Sequence, residues 1–309
     1  MKRFFVAGLS AVQVLLFCAP SFAYCRTRTC EFDPTVSCEP DPQTQCSTVG
    51  VPAFWGSSCI PFAIHEEGSP AEGISASDMR ELVEEGFELW TGAACDGGGT
   101  PELSYFFRGA IGCAQVEYNC GAGDANNNII MFRDGASDLE QAQLALSILT
   151  ANLDTGEIFD VDIEINSRDW DFAEDRSGPR KADLRQVINH ELGHLLGLSH
   201  SLERGALMRA SYGDISEPGD DDVAGVCEVF GGAASDPVCE VEPLAADAGC
   251  VGSEGRCAVT VEGVENEGCV CAVGARSDRS AAYGWLGVLA LGVLRGFRAR
   301  RSRRAGVEP

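Results

Sequence analysis

The stretch "VINHELGHLLGLSHS" occupies Val187–Ser201 and holds three of the four histidines in a chain of 309 residues. Up to Leu196 its period is helical. Leu184, Val187, Ile188, Leu192 and Leu195 fall on one face, so Pro179–Leu196 reads as a helix with a core-facing stripe. His190 and His194 are four residues apart and share a face. Two imidazoles so placed can take two corners of a tetrahedral zinc site. Glu191 cannot point at the same ion from the adjacent position. It can reach a water at an open corner, where a general base belongs. Gly197 permits the left-handed turn that ends the helix, and the chain can then double back so that His200 closes the site.

The elements around this stretch follow from period and turn signals. Ile60–His65 reads as a strand. Ser75–Thr91 reads as a helix capped by Ser75 or Ser77, with Met79, Leu82, Val83, Phe87, Leu89 and Trp90 as its apolar stripe. Glu102–Phe107 and Asn128–Phe132 read as strands, as do Leu144–Asn152 and Ile158–Asn166, the last two joined by Asp154-Thr155-Gly156-Glu157. In the last strand Phe159, Val161, Ile163 and Ile165 face one way; Asp160, Asp162, Glu164 and Asn166 face the other. One side is then buried and the other wet or metal-bound. Asp162, Asn166 and Asp169 gather oxygen ligands of the kind calcium takes, although a solvated strand face explains them equally. Asp221–Phe230 reads as a third helix, closed by Gly231-Gly232.

Both ends differ from this body. Residues 1–23 run from Lys2 and Arg3 through an apolar stretch to Ser21-Phe22-Ala23, the order of a secretory signal peptide cleaved after Ala23. A lipoprotein reading through Cys18 is disfavoured by the bulky Phe17. Near the other end the apolar run Ala281–Leu294 precedes Arg295, Arg298, Arg300, Arg301, Arg303 and Arg304. The run is short against the ~20 residues of a full span. Its arginines would stay on the cytoplasmic side and leave the body outside. A core helix with a solvated basic end is the alternative, but the run has no amphipathic face.

Fifteen cysteines, one of them in the signal, make disulfides the default reading of an exported chain; none has the C-x-x-C spacing of a zinc ribbon, and the pairing is open. A net charge of −24 excludes a nucleic-acid groove outside the tail.

H-E-x-x-H-x-x-G-x-x-H, as written in His190–His200, resembles the signature of the metzincin zinc endopeptidases. Ser201 after the third histidine, and the ungapped run from His200 to Tyr212, resemble the matrixin branch. That resemblance implies that Met208 is the methionine of the turn beneath the zinc. It implies that Tyr212 is a wall of the pocket for the residue after the scissile bond, and that Asp221–Val226 opens the last helix. Thr155–Ile158 and Asp162–Glu164 resemble the strand before the active-site helix. There are departures. Ala210 stands in place of a wall proline. Only His65 is left for a second, histidine-held structural zinc, and Glu164 stands where one of its ligands would fall. No P-R-C-G-x-P-D cysteine switch occurs. Cys269-Val270-Cys271, the short apolar run and the arginine cluster are similar to the C-terminal sorting tails of myxobacterial surface proteins (MYXO-CTERM type).

The expected fold is therefore α+β of the metzincin type: a twisted, mixed, five-stranded sheet with three helices, flanked by cysteine-rich segments. The expected organisation is a signal at 1–23, a cysteine-rich segment at 24–50, a zinc metallopeptidase domain at 51–232, an acidic cysteine-rich stalk or small module at 233–275 and a sorting or transmembrane tail at 276–309. The expected function is exported, zinc-dependent endopeptidase activity at the cell envelope or outside the cell. Glu191 is the expected catalytic base, His190, His194 and His200 the ligands of one zinc ion, and calcium a second candidate ion. Protein or peptide substrates, pairing with an edge strand near Leu144–Asn152, are the expected partners, with the membrane engaged only through the tail and the chain acting as a monomer. A non-catalytic, cysteine-stapled adhesion module is the rival, and it has no use for Glu191. Zinc-dependent hydrolysis of a non-peptide amide would use the same motif.

Overall fold

The structure, a computed structural model, describes residues 23–31, 36–119, 126–172, 180–231, 239, 241–245 and 247–252, and the backbone of 271–273. The signal apart from Ala23, the apolar run Ala281–Leu294 and the arginine cluster lie outside these residues, as do Cys257 and Cys269 of the proposed stalk. Among the described residues no helix is long and apolar enough to cross a membrane.

The centre of the fold is a mixed sheet. Its main strands are β3 (Cys59–His65), β4 (Ser104–Ile111), β5 (Ile129–Phe132), β6 (Ala145–Asn152) and β7 (Glu157–Ile165), in the spatial order β6-β7-β5-β3-β4. β4, β3, β5 and β7 run parallel, and β6 is antiparallel to β7. These are the five strands expected. Two short strands widen the sheet: β2 (Phe54–Trp55) runs parallel to β7, and β11 (Cys271–Val273) runs antiparallel to β6. β6 was expected to be an open edge; its Thr150–Asn152 end is covered by β11 instead. β4 extends past the expected Phe107 to Ile111. Gly109, at φ 141°, lies where the β3–β4 register shifts, and a strand reading of the sequence breaks there.

Three helices complete the domain: α1 (Ala76–Thr91), α2 (Leu184–Leu195) and α3 (Asp220–Phe230). Ser75 and Asp78 form a reciprocal capping box at the start of α1. Met79, Val83, Phe87 and Trp90 of α1 are fully buried against Phe62, Ile130 and Ile163 of the sheet and Leu192 of α2. Each such side chain is worth about 1.5–3 kcal/mol of burial. Gly86 lets the two helices approach, since a Cβ there would lie 2.6 Å from the side chains of Asn189 and Leu192. α2 begins at Leu184, not at the expected Pro179. Asp183 caps it by accepting from the N–H groups of Arg185 and Gln186, and Lys181–Ala182 (β9) is taken by a short parallel pairing with Asp171–Phe172 (β8).

The helices pack on one face of the sheet. The opposite face was expected to be wet or metal-bound along β7, yet Asp160, Asp162, Glu164 and Asn166 are all buried. The cover comes from far along the chain. The loop after β4 lies over β7, with Glu117 N–H donating to Asp162 Oδ2 at 2.9 Å. Leu244 and Ala248 pack on Ala63, Ile111, Ile129 and Met131. Disulfides Cys59–Cys239 and Cys113–Cys250 fasten this returning segment to the sheet, and Cys95–Cys227 ties the end of α1 to α3. Near the start of the chain Cys25–Cys46 and Cys30–Cys38 close a small cap. There β1 (Cys25–Arg26) pairs antiparallel with β10 (Leu198–Ser199), the two residues between Gly197 and His200.

Candidate metal centre

The imidazoles of His190 and His194 project from α2, one turn apart. Gly197, at φ 92°, closes the helix, and β10 carries the chain back so that His200 faces the same point. His200 Nε2 lies 3.3 Å from His190 Nε2 and 3.2 Å from His194 Nε2. The Nδ1 atoms of the two helical histidines are each 2.8 Å from a carbonyl oxygen, of Leu207 for His190 and of Leu198 for His194. A carbonyl can only accept, so each Nδ1 carries the proton and each Nε2 presents a lone pair inward. Burial first, and then the two neighbouring imidazoles, hold His200 well below the ordinary histidine pKa, so it too is neutral.

Three convergent lone pairs at this spacing fit one cation. A tetrahedral zinc ion with bonds of about 2.0–2.1 Å needs nitrogens about 3.3 Å apart. Carbonyl partners on the outer ring nitrogens are what fixed imidazole ligands require. Among the described residues one other group of metal-binding residue types comes close together, Cys113, Glu117 and Cys250, and its two sulfurs are joined in a disulfide.

Glu191 is buried on the cleft side of α2, and Ser147 Oγ of β6 donates to its Oε2 at 2.7 Å. The cleft holds a cavity of about 160 Å³, bounded by Ala142–Ser147, α2 and the segment Leu207–Tyr212. All three histidines and Glu191 open onto it. Tyr212 lines it as well, with its hydroxyl 2.5 Å from the N–H of Asp183 at the start of α2. Met208 is 1 % exposed and lies against Gly193 of α2, the residue before His194. The expected site residues Glu191, His190, His194, His200, Met208 and Tyr212 are thus brought together.

Several contributors gave no local signal in the sequence. Ser147 had none beyond its place in a strand. Gln186 and Trp170 line the same cleft, and Gln186 Oε1 and Trp170 Nε1 are buried without a hydrogen-bond partner. Two of the three aspartates at the start of α3 hold the floor. Asp222 accepts from the N–H groups of Leu207 (2.6 Å), Met208 (3.1 Å) and Gly219 (2.8 Å). Asp221 accepts from Ser201 Oγ (2.6 Å) with one oxygen and from the N–H groups of Ala23 (2.6 Å) and Tyr24 (3.1 Å) with the other.

The expected calcium group is not assembled. Asp162 and Asn166 are four residues apart on an extended chain, about 13 Å, too far to share an ion. Each is already engaged. Asp162 takes the N–H groups of Glu117 and Ile129, Asn166 donates to the carbonyls of Glu140 and Gln143, and Asp169 pairs with Arg168.

Residues 54–231 match the family model of the matrixins. The chain belongs to the matrixin family. It is 30 % identical over 162 residues to the rabbit (Oryctolagus cuniculus) interstitial collagenase, a match covering 51 % of this chain and 29 % of that protein. It is 25 % identical over 170 residues to matrix metalloproteinase-B of Caenorhabditis elegans, covering 52 % and 33 % respectively. It is 40 % identical over 67 residues to metalloendoproteinase 1-MMP of Arabidopsis thaliana, covering 20 % and 18 %. The matched stretches thus span a third or less of these relatives. Matrixins use zinc, and in this member the histidine trio is complete.

Proposed function

We propose that this matrixin is an exported zinc endopeptidase, with His190, His194 and His200 holding the ion and Glu191 as general base. The observation that carries the reading is the convergence of three imidazoles, with His200 Nε2 at 3.2–3.3 Å from the Nε2 atoms of the other two, and a buried carboxylate on the same cleft. Zinc, when bound, supplies a Lewis acid that acidifies water toward neutral pKa. Glu191 takes the proton from the attacking water and returns it to the departing amine. Ser147 keeps the Glu191 carboxylate in place through its hydroxyl. Backbone groups of Ala145–Leu149 bind an extended polypeptide by strand addition, while Tyr212, Gln186 and Trp170 select its side chains. Met208 and Asp222 position the histidines from below. The signal at 1–23 takes the chain out of the cytoplasm, where its disulfides form, and the tail at 276–309 holds it at the envelope. Substrates are proteins or peptides, and the chain acts as a monomer.

The test is a digest of a proteome-derived peptide library by the purified, zinc-loaded protein, with Glu191→Ala in parallel. The parent should cut internal peptide bonds. The variant should keep its zinc and fold and lose at least about a hundredfold in rate. Equal cleavage by both would overturn the assignment of the base.

A further inference from the structure

His200 is the one histidine of the three that no helix carries. His190 and His194 are fixed twice, by α2 and by the carbonyls that accept from their Nδ1 atoms. Among the described residues, none forms a hydrogen bond with Nδ1 of His200. Its place is therefore set by its backbone. The residue after it is held by the Met208 turn and α3: Ser201 N–H donates to Met208 O at 2.8 Å and Ser201 Oγ to Asp221 at 2.6 Å. The residues before it are held by the N-terminal cap.

Leu198 and Ser199 form β10, whose strand partner is β1, with Cys25 opposite Ser199 and Arg26 opposite Leu198. Thr27 N–H donates to Gly197 O at 2.9 Å. Antiparallel pairs alternate between hydrogen-bonded and non-bonded. Leu198 therefore faces Arg26 across a non-bonded pair, and its carbonyl is left to hold Nδ1 of His194. A second contact comes from the 3-10 turn Thr29–Glu31: Glu31 accepts from Ser199 Oγ at 3.2 Å with one oxygen and from Arg28 N–H at 3.1 Å with the other. β1 and β10 have two residues each, too few to stay paired alone. The cap supplies what they lack. Cys25 of β1 is bonded to Cys46, Cys30 of the turn is bonded to Cys38, and Ala53 N–H donates to Thr27 O at 2.7 Å, which closes this excursion of the chain on itself.

We propose that the N-terminal cap is a clamp on the third zinc ligand: β1 and Glu31, locked by the Cys25–Cys46 and Cys30–Cys38 disulfides, position His200 through Ser199. This rests on the zinc reading above. The cap residues are positioning residues, acting on the ion through His200. Opening the cap removes the partner of β10 and the acceptor of Ser199 Oγ together, and leaves His200 held on one side only, through Ser201. The helical pair keeps its place on α2, so the ion is loosened at one corner.

The experiment uses the full chain, made in an export-competent host and loaded with zinc. Zinc release to an excess of a chromogenic chelator is timed for the parent, Cys25→Ala/Cys46→Ala, Glu31→Ala and Glu31→Gln. Cys59→Ala/Cys239→Ala is the control for losing a disulfide elsewhere. Loss of an outer partner of a metal ligand costs about 10–100-fold in metal affinity, so release should be about tenfold or more faster from the cap double variant and from Glu31→Ala. Glu31→Gln, whose amide can still bond Ser199 Oγ, should release at nearly the parent's rate, as should the control. Cobalt in place of zinc reports the ligands around the ion. At saturating cobalt the visible absorption of the two fast variants should change, and that of the control should match the parent. Glu31→Ala keeps every disulfide and decides the matter by itself if the double variant does not fold. Equal release from the parent and Glu31→Ala overturns the clamp and leaves the metal centre intact. Release from the control as fast as from the cap variants reads as general loosening and also overturns it. A parent that holds no zinc overturns the metal centre and the clamp together.

Discussion

Gly193 lies against the sulfur of Met208 so closely that a methyl group on its α-carbon would overlap it. The same methyl would lie 2.9 Å from Trp90 Cζ2, and the Trp90 indole donates to Asn189 O at 3.0 Å. α1, α2 and the turn carrying Met208 therefore meet where only hydrogen fits. Gly193→Ala should destabilise the fold by about 1–3 kcal/mol through overpacking, despite alanine's better helix propensity. Urea denaturation checks this, and a variant as stable as the parent would show that the floor yields.

Removing one ligand should loosen the ion and leave the fold in place. His194 is 5 % exposed and its ring is held at Nδ1 by Leu198 O, so His194→Ala deletes a fixed donor. Elemental analysis after dialysis should give about one zinc per parent chain and much less than one in the variant. A chelator should lower the melting temperature of the parent and have little effect on His194→Ala, because only the parent has bound metal to lose.

Ser147 Oγ donates to Glu191 Oε2, so its effect on the base can be read apart from zinc content. A hydrogen bond to a charged group contributes about 1.5–3 kcal/mol, and only part of that bears on catalysis. Ser147→Ala should lower kcat/KM about tenfold, mainly in kcat, with zinc content unchanged. A matching loss of zinc would mean that the residue supports the metal centre instead.

The histidine cluster is legible because its signal is local: histidines four and six residues apart, separated by a glycine, need only one helix and its exit turn. α1 is legible for the same reason, from Ser75 to Trp90. What escapes reading depends on distant partners. The alternation along β7 reads as one wet face, yet Glu117, Leu244 and Cys250 roof that side of the sheet from elsewhere in the chain. Cys59 sits among the N-terminal cysteines in sequence and bonds Cys239. β1, β10 and β11 are too short to show any period, and each exists only through its partner. Ser147, Gln186 and Trp170 belong to three separate elements that the fold brings to one cleft.

Substrate selection should turn on two polar atoms buried in the lining of that cleft. Gln186 Oε1 can accept and Trp170 Nε1 can donate, and neither has a partner within the protein. A carboxamide side chain offers both complements, so the library digest should show asparagine or glutamine enriched at the subsite that Gln186 lines. Gln186→Leu should shift that preference toward aliphatic residues by about tenfold or more, because it removes a buried acceptor that an apolar side chain leaves unsatisfied. An unchanged profile would place both atoms outside the specificity pocket.

The buried acids of β7 set a pH dependence of stability. Asp160 is 2 % exposed, with Oδ1 lacking any partner. Burial, then the charges of Asp162 and Glu117, raises its pKa well above the ordinary aspartate value. Asp162 is pushed up to about 8, chiefly by burial, against the pull of its two backbone N–H donors. An acid whose pKa is raised on folding holds a proton that the unfolded chain has already released. Its contribution is complete below the unfolded value, near 4, and is lost as pH climbs toward the folded value, at up to about 1.4 kcal/mol per pH unit. The parent should therefore lose stability from pH 5 to pH 7.5. Asp160→Asn keeps the shape and abolishes one titration, so its denaturation midpoint should fall less over the same interval. Measuring both proteins at both pH values cancels the general repulsion of an acidic chain, which they share. If the two midpoints fall in parallel, Asp160 is ionised in the folded protein and a counter-charge supplies the partner that its Oδ1 lacks.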